Sequence, residues 1–241
     1  METKYKRVVL KISGESLSSN NGLIFDSSKL KELAKIVEKL QNIGIKVAIV
    51  IGAGNIFRGR IAEELGIEKE DGDYIGMVGT IINCKAFSSV LANLNIKNVV
   101  FSSLHVDKVA QVYNKVEAKK HYENGEVVLF AGGTGFPGFT TDTCATRRAI
   151  DIEAEAILMG KHGIDGVYSS DPNRDSEAKF LKDLTYQEVL DRNLKVMDIS
   201  AIKELMPYDI DVKVFSMSTT SNFVDVCLGK DIGTTICKGD H

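Results

Sequence analysis

Three stretches of this chain place a cation or an acid beside glycines at the end of an apolar run. The first is Lys11-Ile12-Ser13-Gly14-Glu15, after Val8–Leu10. A lysine that interrupts an apolar strand is costly unless its ammonium reaches water or an anion. It is either a solvated edge residue or a cation for a transferring phosphoryl group, with Ser13 and Gly14 as hydroxyl and backbone donors. The second is Gly52-Ala53-Gly54-Asn55-Ile56-Phe57-Arg58-Gly59. Here a pliant loop carries an arginine whose planar fork suits phosphate oxygens, a surface salt bridge being the plainer use. The third runs from Thr134 to Asp142 behind Ala131-Gly132-Gly133. Thr141 or Asp142 can cap the helix that follows. The same hydroxyls and helix N-terminus can hold a monophosphate, Phe136 and Phe139 can flank a base, and Asp142 can orient a cation or lysine. A fourth stretch, Asp165-Gly166-Val167-Tyr168-Ser169-Ser170-Asp171-Pro172, is either a turn or an adenosine site, with Tyr168 stacking and Asp171 accepting a ribose hydroxyl.

The elements that must position these residues alternate between short β-rich runs and longer helical patterns. Strands are expected at Val8–Ile12, Val47–Ile51, Asn98–Ser102, Glu126–Phe130, Ala156–Met159 and Val212–Ser216. Helices are expected at Lys29–Ile43, Tyr74–Ala92, Asp142–Ala154, Thr185–Asn193, Ser200–Leu205 and Asn222–Leu228, from apolar spacing and stops such as Gly44. That rhythm implies a mainly parallel sheet covered by helices on both faces, with ligands beyond the carboxyl ends of the strands. The stretch Asp165–Phe180 breaks the rhythm and is expected to be a loop or hairpin. No linker or repeat divides the chain, so one domain of two lobes, roughly 1–155 and 156–241, is expected over residues 1–241. The helix over Tyr74–Ala92 is apolar around most of its circumference, so it is buried either in its own domain or against a second copy.

Several classes are excluded. Of 241 residues, 44% are hydrophobic and 26% charged, ordinary for a globular protein. A net charge of −3 gives no basic bias toward nucleic acid or an anionic membrane. No apolar run approaches the roughly 18 residues of a membrane span. Lys4, Lys6 and Arg7 precede an apolar run that Lys11 ends too soon for a signal peptide. The four cysteines form no C-x-x-C pair, so no protein metal site is expected, and reduced thiols in the cytoplasm are the plain reading. The P-loop pattern G-x-x-x-x-G-K-[ST] and the H-R-D catalytic loop are both absent.

Taken together, the segments 5–16, 47–59, 72–77, 131–143, 165–172 and 194–201, with the ending 212–217, closely resemble the bacterial UMP kinases of the amino acid kinase superfamily. The resemblance implies a three-layer α/β/α sandwich with a central, mainly parallel sheet. It implies transfer of the γ-phosphoryl group of ATP to UMP in pyrimidine nucleotide synthesis, Mg²⁺ carried by the ATP phosphates, and a homohexamer built as a trimer of dimers. It places Lys11, Ile12, Ser13, Gly14, Gly54 and Arg58 at the ATP phosphates and His162, Tyr168 and Asp171 at adenosine. UMP falls to Ala53, Asp73 and the loop Thr134, Gly135, Phe136, Pro137, Gly138, Phe139, Thr140 and Thr141. Asp142 and Asp198 become the acidic pair beside the catalytic Lys11 and Arg58. Residues 19–24 match a segment that many relatives use for activation by GTP, and UTP enters as an inhibitor. The chain departs from the pattern at Ala53, at Phe136 and Gly138, and at Ser18–Gly22. Carbamate or acetylglutamate phosphorylation and non-catalytic nucleotide binding are the competing expectations. Because the phosphate of UMP is already a nucleophile, no protein base is needed, and catalysis reduces to positioning and charge neutralisation.

Overall fold

The computed structural model describes residues 3–19, 21–161 and 163–239. The chain runs β1 (Arg7–Ile12), a 3₁₀ turn (Gly14–Leu17), α1 (Ser27–Asn42), β2 (Lys46–Ile51), α2 (Gly59–Glu64), α3 (Lys69–Asn93), β3 (Asn98–Ser102), β4 (Gln111–Val112), α4 (Lys115–Glu123), β5 (Val127–Ala131) and α5 (Thr141–Asp151). It continues with β6 (Ala156–Lys161), β7 (Val167–Tyr168), β8 (Phe180–Leu181), β9 (Asp183–Thr185), α6 (Tyr186–Asp191), α7 (Ile199–Leu205), β10 (Asp211–Ser216), α8 (Asn222–Cys227) and β11 (Thr234–Cys237). Among the described residues, nine strands form one sheet in the order β4-β3-β5-β2-β1-β6-β10-β11-β9. Every pairing in it is parallel except β10 with β11. The interruption between β6 and β9 contains the expected hairpin, β7 against β8.

The period of two along each strand sorts the core into two layers. Val8, Leu10 and Ile12 of β1 face one way, onto Leu33 and Val37 of α1, Phe87 of α3 and Phe223 of α8. Val9 faces the other way, onto Ala145 and Ala149 of α5 and Ile202 of α7. Strands so enclosed read as continuous apolar runs, as β2 does over Val47–Ile51, all buried. The result is the expected α/β/α sandwich. Lys11 is next in phase after Val9, so its side chain rises on the α5 face.

The chain leaves β1 through α1 to β2 on one side, and returns from β5 through α5 to β6 on the other. This reversal of strand order makes the carboxyl end of β1, between β2 and β6, the topological switch point where ligands bind in open parallel sheets.

Helix α3 begins five residues before the expected start at Tyr74, so Asp73 lies on a helix. Its 25 residues are long and apolar enough to cross a membrane by length and composition. Phe87 and Leu91 instead pack in the core, and Gly72, Asp73, Gly76 and Met77 line a cleft. Tyr74, Ile75, Val78 and Ile82 remain 38–47% exposed along one side.

Candidate active site

Two loops meet where β1 and β2 end. The Gly52 N–H donates to the Ile12 carbonyl at 2.9 Å. A Cβ on Gly14 would collide with the Gly52 carbonyl and stand 2.8 Å from the Gly54 nitrogen. Only glycine permits this approach. Beneath them Asn83, fully buried on α3, donates to the Gly52 carbonyl at 2.7 Å and exchanges amide bonds with Asn55 at 2.8 and 3.1 Å. Ala53, where a left-handed backbone would have made alanine unfavourable, is not among the residues of positive φ. Its methyl fits because position 79 is glycine: a Cβ there would come within 2.8 Å of it.

Lys11 Nζ lies 2.6 Å from Asp142 Oδ1, with each side chain 15% exposed. Asp142 stands in the first turn of α5, which Thr140 caps by accepting the Asp142 N–H. The same Thr140 hydroxyl donates to Asp198 Oδ2, and Asp198 is the N-cap residue of α7. One threonine thus ties two helix N-termini, with their positive ends, to the acidic pair and the lysine. The structure therefore brings Lys11, Thr140, Asp142 and Asp198 together.

Arg58 is placed differently. Its Nη2 pairs with Glu15 Oε1 at 2.9 Å and its Nε donates to the Gly54 carbonyl at 3.1 Å. It lines a cavity of about 320 Å³ with Ser18, Ser19 and Leu23. Gly54 belongs to that cavity and also to the main cleft. The salt bridge that the sequence left open as the plainer use of Arg58 is thus present, and Glu15 is the partner. Ile12 buries its side chain completely, and Ser13 precedes the 3₁₀ turn without capping it.

A cleft of about 480 Å³ is lined by Ala53, Gly54, Asp73, Thr80, Phe139 and Thr141, among others. The Gly138 N–H donates to Asp73 Oδ2 at 2.7 Å, pinning the glycine-rich loop to α3. The Phe139 ring is held under the Arg147 guanidinium at 4.3 Å, and Arg147 is itself fixed by a bidentate pair with Glu204. In the same loop the Thr134 hydroxyl donates to the Phe136 carbonyl and accepts from the Phe136 N–H, Gly135 has φ +85°, Pro137 follows, and Phe136 is 66% exposed.

A second cavity, about 430 Å³, is lined by Lys161, Tyr168, Asp171, Pro172 and the segment Arg192–Val196. Tyr168 stands edge-on to Phe180 and donates to Asp165 at 2.8 Å, while Asp171 pairs with Arg174. His162 lies outside the described residues. A third, open cavity shares Thr140 with the first and Asn193–Val196 with the second, and Asp142 and Asp198 line it. The three form one trough with the acidic pair at its middle.

Motif reading passed over Lys161, which ends β6 as Lys11 nearly ends β1. The available signal was the strand period: Lys161 follows Ile157 and Met159 on the α5 face, and Met159 pairs with Lys11. Its Nζ donates to the Val196 carbonyl at 3.0 Å. Burial and then the neighbouring Lys11 charge hold its ammonium below the usual lysine range, against the pull of Asp142 and Asp198.

Two cavities joined by a third that Asp142 and Asp198 line, with Lys11 paired to Asp142 at a switch point that has no P-loop, leave room for two ligands on either side of a lysine–carboxylate centre. The chain belongs to the amino acid kinase family, whose family model matches residues 6–216. It is 42% identical to the uridylate kinase of Limosilactobacillus reuteri over 239 residues, 99% of each chain. Among solved structures it is similar to the UMP kinase of Bacillus anthracis, with a TM-score of 0.94, 39% identity and 98% and 97% of the two chains covered. The UMP kinase of Ureaplasma parvum gives 0.92 at 39% identity, covering 98% of this chain and all of the other.

Proposed function

We propose that the protein is a UMP kinase, moving the γ-phosphoryl group of ATP onto the phosphate of UMP to give UDP and ADP. The observation that carries this reading is the Lys11–Asp142 pair, whose carboxylate lines the cavity that joins a pocket on either side. The first pocket, drawn from residues 53–141, takes UMP, and the second, from 161–214, takes adenosine. The acceptor-binding lobe then covers roughly residues 1–155 and the ATP-binding lobe roughly 156–241, with the loops after β1 and β2 reaching the ATP phosphates between them. Asp73 accepts from the UMP ribose as well as from Gly138, Phe139 borders the base, and Thr140, Thr141 and the α5 N-terminus receive the acceptor phosphate. Tyr168 and Asp171 hold adenosine.

Lys11 neutralises charge developing on the transferring group, and Asp142 keeps its ammonium aimed there. Arg58 leaves Glu15 for the polyphosphate. An exposed ion pair of this kind is worth only about 0–1 kcal/mol, so a multiply charged phosphate displaces it readily. Asp142 and Asp198 suit Mg²⁺ that arrives on ATP. Each carboxylate already has one oxygen engaged, by Lys11 and Thr140, and a hard cation that keeps its waters needs only their outer shell. Held there through its waters, Mg²⁺ would supply charge neutralisation to the polyphosphate.

A coupled assay with ATP-Mg²⁺ against UMP, CMP, AMP, acetylglutamate and carbamate, with and without GTP and UTP, tests the reading. UMP is expected to be the preferred acceptor, and turnover of acetylglutamate or carbamate instead would overturn it. Asp73→Ala is expected to raise the KM for UMP about 10-fold or more, with a smaller change for ATP, since it loses a charge-assisted bond and the Gly138 tether. A KM for UMP unchanged within twofold would remove Asp73 from the acceptor site. Assembly as a homohexamer, a trimer of dimers, belongs to the same reading, with the Tyr74–Ile82 side of α3 covered by a second copy. Light scattering that returned a monomer would remove that part.

A further inference from the structure

We propose that Lys161 is a second cation of the transfer site, binding the polyphosphate of the donor nucleotide and neutralising charge on the departing nucleoside diphosphate. The inference rests on the UMP kinase reading and adds a residue to it.

Strand phase puts Lys161 and Lys11 on one face of the sheet. Lys161 lies one strand across and two residues further along than Met159, the partner of Lys11. By strand geometry their Cα atoms are about 8 Å apart, so the two side chains flank the carboxyl end of β1 from adjacent strands. Lys161 also lines the second cavity together with Tyr168 and Asp171. A nucleotide seated there with its base by Tyr168 must run its phosphates past Lys161 to reach Lys11.

The ammonium is already aimed. One of its three N–H groups is spent on the Val196 carbonyl, in the segment that lines both the second and third cavities. Among the described residues this is its only hydrogen bond, which leaves two donors for oxygens entering the trough. Holding Val196 does not itself require a lysine, because a neutral amide would do it without the cost of keeping a charge partly out of water. Among the described residues, the charged groups acting on this ammonium are Lys11, Asp142 and Asp198. Two lysines therefore share two carboxylates, and Asp142 is already committed to Lys11 at 2.6 Å. An anionic polyphosphate between the lysines relieves their mutual repulsion and gives the charge on Lys161 a purpose.

The test compares Lys161→Gln, which keeps an N–H for Val196 but not the charge, with Lys161→Arg, which keeps the charge. Affinities for ADP-Mg²⁺ and for adenosine are measured by calorimetry or ligand-observed NMR, beside kcat and the KM of each substrate. Expected for Lys161→Gln is a loss of about 10- to 100-fold in ADP affinity, the range for a hydrogen bond to a charged group. Adenosine affinity and the KM for UMP stay within about twofold, and Lys161→Arg recovers most of the loss. ADP binding equal to the wild type in Lys161→Gln, or an equal loss for ADP and adenosine, would reduce Lys161 to a peg for Val196 and overturn the proposal. Should the glutamine variant unfold, Lys161→Met, close to lysine in volume, carries the same ADP-to-adenosine comparison. A wild-type enzyme that ignores UMP would instead overturn the functional reading, which the ADP comparison does not touch.

Discussion

Lys11→Met is expected to lower kcat for UDP formation by about 10²–10³-fold, the usual loss for one group stabilising transition-state charge. The KM values for UMP and ATP are expected to change only a few-fold. Methionine matches the lysine stem, so the packing of β1 beside β2 and β6 is kept and the ammonium alone is removed. The interaction lost is one that strengthens as charge moves onto the transferring oxygens, so it appears in kcat rather than in KM. Asp142 is left without its partner at 15% exposure, and a carboxylate stranded near the core destabilises the fold. The double variant Lys11→Met, Asp142→Asn separates these effects, because it removes the stranded charge and is expected to regain thermal stability without regaining kcat. Steady-state kinetics and a melting curve on the same preparations decide it. A kcat within tenfold of the wild type would show that the charge is supplied from elsewhere.

The parts of this site legible in the sequence are those where one strand ends in one loop. Lys11 stands out because an apolar strand does not carry a charge without a reason, and the runs Val47–Ile51 and Asn98–Ser102 are bounded by turns on both sides. Parallel pairing of such runs needs crossovers, so helices on both faces follow from connectivity. What stayed hidden depends on pairings between distant segments. Two short strands in the last third, β9 and β11, exist only because the sheet edge offers them partners, and residues such as Asp183–Thr185 have no period to betray them. Helix α4 shows little amphipathic pattern, burying only Ala118 and Tyr122. The salt bridge of Arg58 with Glu15 joins the ends of two strands, and the tie from Thr140 to Asp198 spans 58 residues. Motifs place residues at the ends of elements, but which ends face one another is settled by strand order. Lys161 shows the same limit: its phase was readable, but its relation to Lys11 required knowing that β6 lies beside β1.

Gly14→Ala is expected to cost more than any propensity scale suggests, and to cost activity and stability together. A methyl group at position 14 points at the Gly52 carbonyl and the Gly54 nitrogen, both backbone atoms, as well as at Asn55 Oδ1. None is the free end of a flexible side chain. The Gly52 carbonyl is held by buried Asn83, which is locked to Asn55 by reciprocal amide bonds, so moving it breaks a fully paired network under α3. The alternative is for the first loop to retreat, which draws the end of β1 away from the end of β2. Overpacking of this kind costs about 1–3 kcal/mol, which for a chain of this size lowers the melting temperature by roughly 2–12 °C. Either response misplaces Lys11 relative to Gly54 and the pocket floor at Ala53. A displacement near 1 Å costs about 10²-fold in rate, so kcat/KM is expected to fall by that factor even at temperatures where the variant is folded. Both losses are read on one sample, by calorimetry and by the UDP assay well below the melting point. A variant with the melting temperature and the turnover of the parent would mean that the two loops do not abut, and with them would go the rigid floor on which the lysine's aim depends.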